Sequence, residues 1–215
     1  MFGIFNIKLH LMKTIKINQD WIIFADEYDP LEILQTVYGL SDLALLKKRI
    51  FQLIESSISK NPMPNFKKDP SYLLFFSRLI CDAIIGLYMI EEKRKDYKYL
   101  KGKYANKLIQ KIYTNTNNSD YLPWDHYPFS LNRKELNDPI KTLTKIRKAV
   151  DLEGWLDFIE QCVHNSLAFG FEPEWDGFNF QIACTYNLPK LFDIGYLIYA
   201  TETEFGRKYI LKINS

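Results

Sequence analysis

The sequence predicts a mainly helical fold of the α+β class: a multi-helix domain around a central buried helix, with a small antiparallel β-sheet or hairpins. Three observations predict it: repeated Asp-Pro helix starts, one long apolar run, and a few short segments in which apolar residues alternate. With 215 residues, of which 47% are hydrophobic, the chain is long enough to bury a core. We therefore expect a single domain over residues 1–215.

The helix starts share one signature, in "YDPLEIL", "KDPSYLL" and "NDPIKTL". An Asp at the N-cap accepts hydrogen bonds from the free N–H groups of the first turn, and Pro at the first helical position loses no helical bond. These starts, Ser41 as a further cap and apolar residues at helical spacing together predict seven helices. Their ranges are 30–38, 42–59, 70–92, 97–113, 139–150, 153–169 and a last helix from about residue 189.

The apolar run "YLLFFSRLICDAIIGLYMI", residues 72–90, predicts the central helix because it is apolar nearly all round. It is long enough to cross a membrane, but Arg78 and Asp82 lie in its middle and would cost several kcal/mol there. Since the two residues are four apart, we expect them to form an ion pair inside a folded domain. No association with a membrane is predicted.

Strand signals are fewer. "TIKINQDWIIFAD", residues 14–26, reads as a hairpin, and "FNFQIACTY", residues 178–186, alternates apolar and polar side chains. "RKYILKI", residues 207–213, is a third candidate. These segments predict the small antiparallel sheet.

Composition narrows the function classes. The net charge of +2 gives no general reason to expect nucleic acid or membrane as a partner, and three cysteines without a CxxC pair favour a reducing cytosol. The start of the chain is interrupted by charges and does not resemble a signal peptide. Because the cysteine usage fits a reducing cytosol, we expect a cytoplasmic location. Gly-rich phosphate loops and the GxSxG and HExxH motifs are missing from the sequence, so we expect no cofactor.

The stretch "DFIEQCVHNSLAFGFEPEWDG", residues 157–177, looks most like chemistry. Cys162 and His164 lie about 160° apart on a helix, so they cannot act as a nucleophile and its base within it. Asp157, Glu160 and His164 share one face and could hold a divalent metal or form an acid/base pair. The alternative, which we favour, is the solvated face of an amphipathic helix without metal.

Two Trp-Asp pairs supply the other candidate site. Trp124 and Asp125 stand in an aromatic loop beside His126, which could serve as a base or a ligand clamp, while Trp175 and Asp176 precede the predicted strand over 178–186. The alternative is a loop that packs its own rings over the core. We expect a functional site, if it is a discrete one, where residues 121–129 and 171–178 meet, next to the Glu160–His164 face.

A basic run covers residues 93–111, with eight basic residues and one acidic residue and with tyrosines between them. Lys103, Lys107 and Lys111 form one ridge at i,i+4 spacing. Such runs can follow a nucleic-acid backbone, but a solvated helix is the better interpretation in a chain of near-neutral charge.

The leading hypothesis is a non-catalytic cytosolic binding protein whose partner is another protein. The Lys-, Ile-, Asn- and Tyr-rich composition suits an AT-rich bacterial source, where an immunity or defence-system accessory protein is the narrower expectation. The main alternative is a hydrolytic enzyme, metal-assisted or not, that uses Asp157, Glu160 and His164 or the Asp125–His126 pair. A second alternative is a nucleic-acid binder that uses residues 93–111. The oligomeric state stays open.

Overall fold

The architecture is helical throughout the residues that the structure, a computed structural model, describes: 29–59, 69–93, 127–167 and 178–203. Seven helices lie in these ranges: α1 (Pro30–Gly39), α2 (Leu43–Ile58), α3 (Pro70–Glu92), α4 (Arg133–Asn137), α5 (Pro139–Ala149), α6 (Leu152–Leu167) and α7 (Phe178–Glu202). The predicted helix over 97–113 lies outside the described residues.

The three Asp-Pro starts are confirmed. Asp29, Asp69 and Asp138 each accept a hydrogen bond from a backbone N–H in the first turn of the following helix, at 2.9, 3.1 and 2.9 Å. The cap of α2 is Asp42, which accepts from the backbone N–H of Leu45 at 2.6 Å, and not Ser41 as predicted. A carboxylate directly before the first turn reaches an N–H that the hydroxyl one residue earlier cannot.

The core has two central helices where the sequence predicted one. The helix α3 packs against α1, α5, α6 and α7, while α7 packs against α1, α2, α3, α5 and α6. One polar chain crosses this core: the indole N–H of Trp155 donates to the Tyr88 hydroxyl at 2.8 Å, and that hydroxyl donates to the Val150 carbonyl at 2.6 Å. Trp155 is therefore fully buried with its polar atom satisfied.

The predicted β-sheet is wrong for the residues that the structure describes. Residues 178–186 form the first turns of α7, and none of the described residues belongs to a strand. Cys184, Leu188 and Leu191 follow each other at helical spacing and are completely buried, so packing of a helical face overrides the short alternating pattern. The strand predictions over 14–26 and 207–213 lie outside the described residues.

The helix α3 is the one described element that is long and apolar enough to cross a membrane, with a mean hydropathy of 1.9 over its best window. However, 67% of that window is buried against the rest of the protein, and the core helix of a soluble protein passes the same test. The expected Arg78–Asp82 pairing is only partly present. Burial raises the pKa of Asp82, and the nearby charge of Arg78 lowers it. However, the Oδ1 atom of Asp82 makes no hydrogen bond.

Candidate functional site

An apolar groove of about 540 Å³ runs between α2 and α7. We call it the α2–α7 groove. Phe158 of α6 forms part of its floor, and Ser130 of the turn before α4 lies at its edge. The volume falls within the range of roughly 300–1,000 Å³ that is typical of binding pockets. The lining side chains are Phe51, Ile54, Ile58, Ser130, Phe158, Gln181, Ile182, Thr185, Tyr186, Pro189 and Lys190.

The two helices that form the groove run antiparallel. Near one end, Lys47 of α2 contacts Asp193 of α7. Towards the other end, Ile58 and Ile182 both line the groove, so α2 ascends in residue number while α7 descends. Residues three or four positions apart lie on one helix face, and the groove is therefore lined by one stripe from each helix.

The rims of the groove are apolar and open to solvent. Phe51 and Ile58 on α2 are 50% and 58% exposed, and Ile182 and Tyr186 on α7 are 52% and 65% exposed. We call these four side chains the groove rim. Single exposed apolar residues are normal on a protein surface, but a contiguous set beside a concavity is typical of a binding surface.

The end of the groove nearest α4 is closed by a buried ion pair. The Lys47 ammonium donates to Asp193 Oδ1 at 2.9 Å, with side-chain exposures of 12% and 0%. The backbone N–H of Ser130 donates to the other carboxylate oxygen at 2.6 Å. Burial raises the pKa of Asp193, although the charge and hydrogen bond of Lys47 oppose this effect. The pair thus ties the Ser130 turn to both helices of the groove.

A second ion pair lies one turn along α7 from the first. Lys190 donates to Glu135 of α4 at 2.5 Å, and its ammonium stands 4.3 Å from the centre of the Tyr186 ring. Burial would lower the pKa of Lys190, but hydrogen bonds with Glu135 and Tyr186 outweigh it and the pKa is raised. Lys190 therefore stays protonated and holds one rim residue in place.

Pro189 lies inside the continuous helix α7 and lines the groove. Because proline has no backbone N–H, the carbonyl of Thr185, four residues earlier, loses its regular helical donor. Both residues line the groove. The wall of the groove thus contains a backbone acceptor that the helix itself does not satisfy through its usual bond.

Among the described residues, the lining of the groove offers few groups that could take part in hydrolysis. Of the described residues that line it, Ser130, Thr185 and Tyr186 carry hydroxyls, but none is a His, Asp or Glu that could serve as a general base. Cys162 and Cys184 are buried, and burial raises the pKa of each thiol to about 12. Such thiols are protonated near neutral pH and poor nucleophiles.

The predicted residues of α6 do not contribute to this groove. Asp157, Glu160 and His164 are exposed, and Glu160 lies about 200° around the helix from Phe158. Glu160 instead affects the buried thiol of Cys81 in α3. Burial raises the pKa of that thiol, and the charges of Asp82 and Glu160 raise it further. In the described ranges, no group of three or more His, Cys, Asp or Glu comes together as a metal site.

The two Trp-Asp pairs and His126 lie outside the described residues, as do residues 94–111 of the basic run. Only the end of the predicted 121–129 loop is described. There Tyr127 and Phe129 are in edge-to-face contact, with ring centres 4.5 Å apart. Whether Trp124, Asp125, Trp175 and Asp176 form a cleft is thus a prediction that stands untested.

Sequence reasoning missed the groove for two reasons. On α2, the helical spacing of the apolar residues predicts one buried face. Phe51 and Ile58 lie outside that face, and these two additional apolar residues are the signal in the sequence that could have indicated the groove. On α7, the strand assignment over 178–186 hid the helical face that carries Ile182 and Tyr186. The pairing of α2 with α7 joins residues far apart in the chain and is not visible in either segment alone.

The fold is helical over the described residues, and its α2–α7 groove has apolar rims that are open to solvent. Comparisons with protein-family models, with curated proteins and with solved structures find no match for this chain.

Proposed function

We propose that this protein is a non-catalytic binding protein that receives a segment of another protein in the α2–α7 groove. The observation that carries the proposal is the groove rim: four large apolar side chains, each half or more exposed, on both sides of one concavity. Burial of about 100 Å² of apolar surface contributes roughly 2.5 kcal/mol before the costs of association. A partner that covers the rim gains a contribution of this order from each of the four rim side chains.

The shape of the groove favours a helical segment of the partner. Two antiparallel helices with a stripe of side chains on each leave a trough between them, and an amphipathic helix can lay its apolar face in such a trough. Tyr186 and Phe51 are the expected hot spots, because aromatic side chains near the centre of an interface carry much of the binding energy.

The buried ion pairs support binding more than catalysis. Each carboxylate at the closed end has a cationic partner, Lys47 for Asp193 and Lys190 for Glu135, so neither is positioned as a free acid or base. Their role is to hold the Ser130 turn and the Tyr186 ring and thus to keep the groove preformed. A preformed surface loses less conformational entropy when it binds.

The narrower proposal, an immunity or defence-system accessory protein in the bacterial cytoplasm, is supported by composition alone. Partner binding in the α2–α7 groove does not depend on this narrower role, so the binding and the role can be tested separately.

Site-specific photo-crosslinking tests the proposal. A photoreactive phenylalanine derivative is placed at Phe51 or Tyr186, and in the control at Phe75, which is 54% exposed on α3 and does not line the groove. In the native host, the groove positions should crosslink one partner protein that the Phe75 position does not. That purified partner should then bind the wild-type chain and the Phe75→Asp variant but not Ile182→Asp. Equal crosslinking from all three positions would contradict the proposal.

A further inference from the structure

The outer face of α2 carries a stripe that is complementary to itself. Ala44, Lys48, Phe51, Glu55 and Ile58 recur at alternating spacings of four and three residues and therefore share one face of the helix. All except the half-buried Ala44 are exposed. Apolar residues stand at the ends and the centre of this stripe, with one cation and one anion between them.

The two charges are placed almost symmetrically about Phe51. Lys48 precedes it by three residues and Glu55 follows it by four. In an antiparallel pair of such helices, a twofold axis close to Phe51 sets each Lys48 opposite the Glu55 of the other copy. An arrangement in which the same patch faces itself is the usual geometry of a symmetric dimer.

We propose that, when its partner is absent, the groove rim and the α2 stripe pair with the same surface of a second copy of this chain, with α2 antiparallel to α2. This inference rests on the proposed function in that it uses the same open surface. Self-pairing would cover the groove, so partner binding would compete with dimerisation.

The apolar area is of the order that a dimer needs. A large aromatic side chain buries about 200 Å², and an isoleucine somewhat less, so the four half-exposed rim residues offer roughly 300–400 Å². One partner of a standard interface contributes about 800 Å², of which about 65% is apolar in homodimers, or about 500 Å². The rim together with the Ala44 methyl and the alkyl stem of Lys48 comes close to that requirement.

The charge arrangement allows a sharp test by charge exchange. K48E places two glutamates opposite each other at both symmetry-related contacts, and E55K places two lysines there. Because each exposed ion pair contributes little, reversal at two contacts should weaken dimerisation by about tenfold. The double variant K48E/E55K restores opposite charges across the axis and should return the dissociation constant to near the wild-type value.

The experiment is sedimentation equilibrium of the full chain over a wide concentration range. We expect a monomer–dimer equilibrium for wild type, a monomer for Phe51→Asp, and an unchanged equilibrium for the control Phe75→Asp. We also expect weakening in each single charge variant and recovery in the double variant. A wild type that is monomeric at all concentrations overturns the inference, and so does a double variant that is no better than the singles.

Failure of self-pairing and failure of the proposed function remain distinguishable. If the chain is monomeric while Phe51 and Tyr186 still crosslink another protein, only the second-copy inference is wrong. If the dimer forms as described and no other protein is crosslinked, the surface serves self-association and the proposed function is wrong.

Discussion

The two ends of the α2–α7 pair differ in how they satisfy their side chains. At the end near Asp193, the charged side chains Lys47, Asp193, Lys190 and Glu135 are paired, and they are buried or largely buried. At the end near Ile182, large apolar side chains remain open to solvent. The same two helices thus form a closed structural clamp at one end and an uncovered surface at the other. The difference shows that packing of the two helices against each other leaves the Ile182 end open to solvent.

The largest effect is expected from breaking the closed end. Asp193→Ala removes the partner of the buried Lys47 ammonium and the acceptor of the Ser130 N–H. Removing one member of a buried ion pair typically costs about 3–5 kcal/mol, because the other charge is left unpaired. Urea unfolding should show a free energy of unfolding lowered by that amount. A loss below about 1 kcal/mol would mean that the clamp does not hold the helices together.

A second test concerns the close approach of α7 to α1 behind the clamp. A Cβ atom at Gly195 would lie 3.1 Å from Cζ of Tyr38, and closer still to its hydroxyl, which donates to the Phe192 carbonyl. Gly195→Ala should therefore cost about 1–3 kcal/mol through overpacking. The matched control is Gly39→Ala, where nothing lies near the new atom and helix propensity should stabilise slightly. Equal effects of the two variants on thermal unfolding would contradict this packing.

A third prediction compares two buried aspartates. Unlike Asp193, Asp82 has one carboxylate oxygen without a hydrogen bond, and burial raises its pKa from 3.8 to about 6 despite the nearby charge of Arg78. Because the folded protein holds this proton more tightly than the unfolded chain, the stability falls as the pH rises from about 4 to 6. At about 1.4 kcal/mol per pH unit, the loss is at most about 3 kcal/mol.

Asp82→Asn removes the charge that is costly to bury. The variant should be more stable than wild type above pH 6, by about 1–3 kcal/mol, and the difference should vanish near pH 4, where both side chains are neutral. Chemical unfolding measured at a series of pH values checks this. A variant that is less stable than wild type at pH 7 to 8 would show that burial of the Asp82 charge does not destabilise the folded protein.

The smallest effect on stability is expected at the open end. Ile182→Asp and Phe51→Asp replace side chains that are already half exposed, so the free energy of unfolding should change by no more than about 0.5–1 kcal/mol. Both variants should nevertheless lose partner binding. If either unfolds the protein, the rim belongs to the core and not to a binding surface.

The sequence was informative where a signal is local. Asp29, Asp69 and Asp138 each cap the helix that the Asp-Pro pair predicted, and the predicted range 70–92 is that of α3. It misled where two periods coexist: residues 178–186 alternate like a strand, but Cys184 and Leu188 also continue a buried helical face into the rest of α7. The groove could not be predicted, because it depends on Lys47 meeting Asp193 across most of the chain.

Dye binding tests most directly the central claim that the Ile182 end of the α2–α7 groove is an open apolar site. The probe 1-anilinonaphthalene-8-sulfonate fluoresces when it enters apolar surroundings and is added to the folded protein at a concentration low enough to keep it monomeric. We expect enhanced fluorescence for wild type and for Phe75→Asp, and its loss for Ile182→Asp and Phe51→Asp, with cooperative unfolding unchanged in all of them. Fluorescence that persists undiminished in both groove variants would show that the groove is not the apolar binding surface of this protein.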